Sequence, residues 1–129
     1  MKYRIAVGTK DGVYVTEHFG QCGRFQILEV DQEQDEAVLI EERDTANQTG
    51  CGGHQEEQIR DKIQSINDCK IVLVRQIGGQ SEKLLNHNGI IALQYQGTIE
   101  GALQKVKQYY KRQKFFDPKI TGYEERRGV

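Results

Sequence analysis

Two side chains able to bind a soft metal, His18 and Cys22, stand four positions apart in "TEHFGQCGRF", residues 16–25. Imidazole is the commonest neutral metal ligand, and thiolate sulfur suits iron–sulfur chemistry. Phe19 and Gly20 between them supply an apolar anchor and a residue without a β-carbon, so the loop can approach a bound group closely. An irregular loop or one helical turn would bring Cys22 alongside His18. The same residues also fit a plainer arrangement, a loop histidine bonded to backbone and a buried, inert thiol.

Cys51 adds a second candidate sulfur. In "TGCGGHQEE" it stands among Gly50, Gly52 and Gly53, directly before a helical pattern, where backbone amides and the helix dipole favour a thiolate and attract anions. An ordinary glycine-rich loop reads the same way. A further glycine pair, Gly78 and Gly79 in "IGGQS", also precedes a helical stretch. Were both glycine turns and the His18 loop to meet at one end of a sheet, they would suit an electron-rich metal–sulfur cluster, which needs an imidazole or thiolate on its metal and N–H donors around its sulfides. On that reading His18, Cys22 and Cys51 are the candidate metal ligands. Phe19, Gly20, Gly52, Gly53, Gly78 and Gly79 complete the surround. His54 either caps its helix or joins the site, His87 between two asparagines reads as an exposed helix end, and Cys69, just before an apolar run, reads as core.

Other chemistries lack their signatures. There is no Walker loop, no Gly-x-Ser-x-Gly elbow, no His-Glu-x-x-His and no dinucleotide fingerprint, and the carboxylates fall in turns and on polar helix faces without forming a catalytic pair. No enzyme activity is expected. Eighteen Lys and Arg against 19 Asp and Glu give a net charge of −1 with no long basic block, which disfavours a nucleic-acid groove. No apolar run nears the roughly 18 residues that cross a bilayer, and the apolar core of "MKYRIAVGTKDG" is too short for a signal peptide. A cytoplasmic setting is expected, with no membrane partner. Three irregularly spaced cysteines then argue for free thiols or ligands, and the absence of Cys-x-x-Cys argues against a thiol-redox protein.

The elements that must position these residues are legible in outline. "YRIAVGT" and "VYV" flank Asp11-Gly12, a tight-turn signal, and predict a hairpin. "RFQILEV" and "AVLIEER" flank the polar "DQEQDE" and predict a second antiparallel pair. Ile59, Ile63 and Ile66 recur at helical spacing, giving a helix over about 54–66 with Glu56 and Glu57 favourably placed in its first turn. "KIVLV" (70–74) reads as a central strand buried on both faces. A short helix then stops at Asn88-Gly89, "GIIAL" supplies another strand, and Thr98 caps a helix whose inner face carries Ile99, Ala102, Leu103, Val106 and Tyr110. Beyond Lys111 the pattern fades, so residues 1–112 are expected to form one α/β domain with a mixed sheet and 113–129 a loosely ordered tail.

Taken together, "IAVGTKDGVYVTEHFGQCGRFQILEV", "CGGHQEEQIRDKI", "IGGQSEKLLNHNGI" and "TIEGALQKV", in this order and spacing, resemble the dinitrogenase iron-molybdenum cofactor biosynthesis family. That family includes NifX-like and NafY-like carriers and the C-terminal part of NifB-like proteins. The resemblance covers about residues 3–110, and "CGGH" followed by "IGG" points to the NifX-like branch. It implies a ribonuclease-H-like fold without nuclease activity and a carrier for the iron-molybdenum cofactor or its iron–sulfur precursor. By motif the family's cofactor-binding histidine corresponds to His18 and the branch's cysteine to Cys51, whereas Cys22 stands where relatives often carry a small, non-ligating residue. The implied partners are a cofactor-assembly scaffold and an apo-dinitrogenase-type recipient. A second class of function remains open: an interaction domain that binds no cluster and uses a sheet edge or the tail aromatics Phe115, Phe116 and Tyr123.

Overall fold

The computed structural model describes residues 2–44 and 55–113. Strands β1 (Lys2–Gly8), β3 (Arg24–Asp31), β4 (Glu36–Asp44), β5 (Ile71–Val74) and β6 (Ile91–Gln94) form a mixed five-stranded sheet in the order β4-β3-β1-β5-β6. The β1, β3 and β4 ladders are antiparallel, and β5 and β6 add in parallel. Helices α1 (Gln55–Ser65), α2 (Gly79–His87) and α3 (Ile99–Gln113) cover its faces.

Alternation of side chains along the strands divides the core into two layers. On one face Tyr3, Ile5, Val7, Leu28, Val30, Ile71 and Leu73 meet Ile99, Ala102 and Val106 of α3. On the other, Ala6, Ile27, Val72 and Val74 meet Ile63 of α1, Ile66 just beyond its end, and Leu85 of α2. All four residues of β5 are buried, as its unbroken apolar run predicts for a strand covered on both sides. The result is a mixed α/β domain of three layers.

Local signals act where the sequence carries them. The Thr98 hydroxyl accepts the Gly101 N–H at 3.0 Å and caps α3. The α2 helix ends at Asn88 and Gly89 (φ 76°), with the Ile90 N–H returning to the Leu85 carbonyl. In the β3–β4 turn, the Asp31 carboxylate accepts the N–H groups of Glu33 and Gln34.

The first predicted pairing is corrected. The Asp11-Gly12 turn forms, with Gly12 at φ 77° and the Asp11 carboxylate accepting the Val13 and Tyr14 N–H groups. The strand that follows it, β2 (Tyr14–Val15), pairs not with β1 but with β7 (Gly97–Thr98). Both edges of β1 are already taken, one by β3 and the other by β5. Alternation marks a strand but not which edge receives it.

No helix among the described residues is long and apolar enough to cross a membrane. Apart from Gln113, the last residue of α3, the proposed tail 113–129 and its aromatics Phe115, Phe116 and Tyr123 lie outside the described residues, as does the side chain of Tyr110.

Candidate functional site

After β2 the chain crosses the carboxyl end of β1. The Gly8 carbonyl accepts the N–H groups of Thr16 and Glu17 at 3.1 and 3.2 Å. A β-carbon on Gly8 would stand 3.0 Å from the Glu17 β-carbon and 3.3 Å from the Cys22 sulfur, so any side chain here would press on the loop that crosses it.

The next residues dock onto the end of β5. His18 forms an isolated parallel bridge with Gln76. The Arg75 N–H donates to the Glu17 carbonyl and the Phe19 N–H to the Gln76 carbonyl, both at 2.8 Å. A short 3-10 turn, Phe19–Gln21, follows, closed by Gln21 N–H to His18 carbonyl and Cys22 N–H to Phe19 carbonyl bonds. Phe19 is wholly buried and its ring lies 6.1 Å from that of Phe25. Burial of such a ring contributes about 2–3 kcal/mol toward holding the turn, alongside its backbone hydrogen bonds. Phe19 therefore anchors the loop from inside, while His18 and Gly20 on either side of it are exposed.

Two residues beyond Gln76 come Gly78 and Gly79, the N-cap and first residue of α2. Of the two glycine turns expected to meet the His18 loop, the Gly78-Gly79 turn follows directly on the Gln76 bridge to His18, and the Gly52-Gly53 turn lies outside the described residues. No side chain caps the helix, both glycines are exposed, and a β-carbon on either, or on Gly20, would meet nothing within 4 Å. The first-turn amides of a helix lack intrahelical acceptors, so this N-terminus opens toward free space with its dipole favouring an anion. The Gln94 side-chain oxygen accepts the Ile77 N–H at 3.0 Å and ties the connection to the end of β6. Exposed Arg75 adds positive charge nearby, against which stand Glu17 and the first-turn Glu82.

Cys22 is 1% exposed, and its S–H donates to the Arg24 carbonyl at 3.1 Å. Burial pushes its thiol up to about 11. A sulfur that takes up a cluster from solution must reach it as thiolate, so of the two arrangements open to it the buried thiol is the one seen here. Cys69 is likewise core, with its thiol raised to about 12, first by burial and then by the Asp68 charge. His87 is exposed at the end of α2. Cys51, Gly52, Gly53 and His54 lie outside the described residues. Among the described residues no three His, Cys, Asp or Glu side chains converge to hold a metal ion.

Sequence reasoning passed over one residue. Lys62 of α1 is buried, and its ammonium donates to the Phe19 carbonyl at 2.8 Å and the Gly20 carbonyl at 3.1 Å, lying 5.3 Å from the Phe19 ring centroid. Burial lowers its pKa, and the charge interaction with Cys22 opposes that shift. The available signal was its position: three residues after Ile59 and four before Ile66, it falls on the apolar stripe of α1.

The family model described as dinitrogenase iron-molybdenum cofactor matches residues 1–109. The chain is similar to the FeMo cofactor biosynthesis protein NifB of Chlorobaculum tepidum, at 31% identity over 102 residues that cover 79% of this chain and 23% of that protein. It is also similar to the NifB of Herbaspirillum seropedicae, at 40% identity over 86 residues covering 67% and 16% respectively. This chain thus spans less than a quarter of the curated relatives it matches. The apo form of the orange protein from Desulfovibrio gigas shares the fold, with a TM-score of 0.59 and 22% identity over 83% of this chain and 88% of that one. The chain belongs to the dinitrogenase iron-molybdenum cofactor family.

Proposed function

We propose that this protein is a non-catalytic carrier that takes the iron-molybdenum cofactor, or its iron–sulfur precursor, as cargo. The observation that carries the reading is the exposed His18, docked through Gln76 beside the uncapped Gly78-Gly79 start of α2 with open space before it. The names of the NifB relatives support the class of cargo.

In this reading the His18 imidazole coordinates an exposed metal of the cluster, and the amides at Gly78-Gly79 stabilise its negative charge. Cys51 is a second candidate ligand, with Gly52 and Gly53 adding amides. Cys22 is left out because its sulfur is enclosed, and Phe19 contributes backbone rather than ring. One imidazole and few other contacts suit reversible holding and hand-over between an assembly scaffold and an apo-dinitrogenase-type recipient. We also read the strand order β4-β3-β1-β5-β6, with β3 antiparallel to its neighbours, as ribonuclease-H-like.

Anaerobic titration with isolated iron-molybdenum cofactor tests this reading. His18→Ala should fold as the parent does and bind the cofactor more than about tenfold more weakly, as expected when a metal loses a protein contact. Equal uptake by the variant and the parent would overturn the assignment.

One observation favours a second reading, an interaction domain that binds no cluster: edge strand β4 exposes Val38, Leu39 and Ile40. In that case His18→Ala changes nothing, while Leu39→Lys or truncation after Lys111 abolishes partner capture.

A further inference from the structure

We infer that Lys62 is a positioning residue for His18: its ammonium holds the turn that follows His18 and so couples the placement of that residue to the docking of α1. The inference rests on the reading of His18 as the cluster-binding residue.

Three observations carry it. The Phe19 and Gly20 carbonyls point inward, beneath the turn, and both take their hydrogen bonds from Lys62 Nζ. Phe19 O also accepts the Cys22 N–H, so the ammonium meets the turn at its closing bond. Among the described residues no carboxylate forms an ion pair with Lys62; its charge is met by the two carbonyl dipoles and the Phe19 ring. A buried charge satisfied in this way is costly unless its geometry is kept. The lysine therefore selects the turn conformation that offers both oxygens, in which His18 lies along Gln76. The contact spans 43 residues of chain between Phe19 and Lys62. It ties the His18 loop to α1, and "CGGH" leads directly into α1. An apolar residue here would remove the one side-chain donor shared by the buried Phe19 carbonyl and the partly buried Gly20 carbonyl.

The test uses the full chain with Lys62→Met and Lys62→Arg. Amide hydrogen exchange on the cluster-free protein reads the turn, and titration with isolated iron-molybdenum cofactor reads binding. Lys62→Met should speed exchange of the Gln21 and Cys22 N–H groups at least about tenfold while β1 and β5 amides keep their protection. It should also weaken cofactor binding by about tenfold and alter the electronic spectrum of the bound cluster, with Lys62→Arg recovering part of each change. Unchanged exchange at Gln21 and Cys22, a uniform acceleration that includes β1 and β5, or faster exchange with undiminished binding would each overturn the inference. Should Lys62→Met fail to fold, Lys62→Gln, which keeps a donor without the charge, is judged by the same readouts. If the parent itself takes up no cofactor, the carrier reading fails and this inference about His18 fails with it. The exchange data would still show whether Lys62 holds the turn, so the two failures are distinguishable.

Discussion

The Glu17 β-carbon passes 3.0 Å from the point where a β-carbon on Gly8 would stand, so the His18 loop crosses the end of β1 in tight contact with it. The Val74 side chain and the Cys22 sulfur close the same point from two other directions, at 3.2 and 3.3 Å. Gly8→Val must therefore push the loop off the strand end. The expected outcome is a loss of about 1–3 kcal/mol in urea unfolding, together with amide chemical-shift changes concentrated at Thr16–Phe19. A variant with parental stability and unmoved loop resonances would overturn this account of the crossing.

Gly8 also marks where the sequence stops being informative. As the last residue of an apolar run it reads as a strand terminator, and nothing nearby announces that Glu17 will cross above it. The same holds for β2, whose partner at Gly97–Thr98 lies over 80 residues away and has no local signal. Lys62 reads as one charge in "RDK", and its burial depends on Phe19 arriving from another part of the chain. By contrast, Thr98, Asn88-Gly89 and the buried run at 71–74 act through their immediate neighbours, and their roles were legible. His18 stood between these cases. Its residue type and flanking glycine suggested a site, but its contact with Gln76 came only with the fold.

Asp68 gives a prediction with a defined sign. Its carboxylate accepts two bonds from Arg43, at 2.6 and 3.0 Å, and one from Arg4 at 2.6 Å, joining the α1–β5 connection to β1 and edge strand β4. These guanidinium bonds, led by Arg43, hold the carboxyl well below the usual carboxylate range. Because the folded pKa lies below the unfolded value of about 3.9, the stabilisation is present above that value and is lost as pH falls toward the folded one. The side chain is 41% exposed, so solvent screening limits the gain to about 1 kcal/mol. Urea unfolding should show the parent more stable than Asp68→Asn by this amount at neutral pH. The gap should stay constant down to about pH 5 and narrow below about pH 4. A gap that stays constant down to about pH 2 would contradict the ion-pair account.

Cys22 can be read by its reactivity. With its thiol raised to about 11 by burial, the thiolate fraction at pH 8 is roughly one in a thousand, against about a quarter for an unperturbed thiol. Enclosure beneath the Phe19–Gln21 turn slows attack further. Iodoacetamide at pH 8, followed by peptide mass mapping, should label Cys22 in the native chain more than about a hundredfold more slowly than in the unfolded chain. The linkage runs opposite to that of Asp68. The folded pKa exceeds the unfolded one, so the protonated thiol favours the folded state below the unfolded value, and that contribution fades as pH rises toward 11. Rapid native labelling at neutral pH would mean that the turn opens and the sulfur reaches solvent as thiolate. Cys22 would then return to the ligand set beside His18, and a carrier with one imidazole would become one with an imidazole and a sulfur.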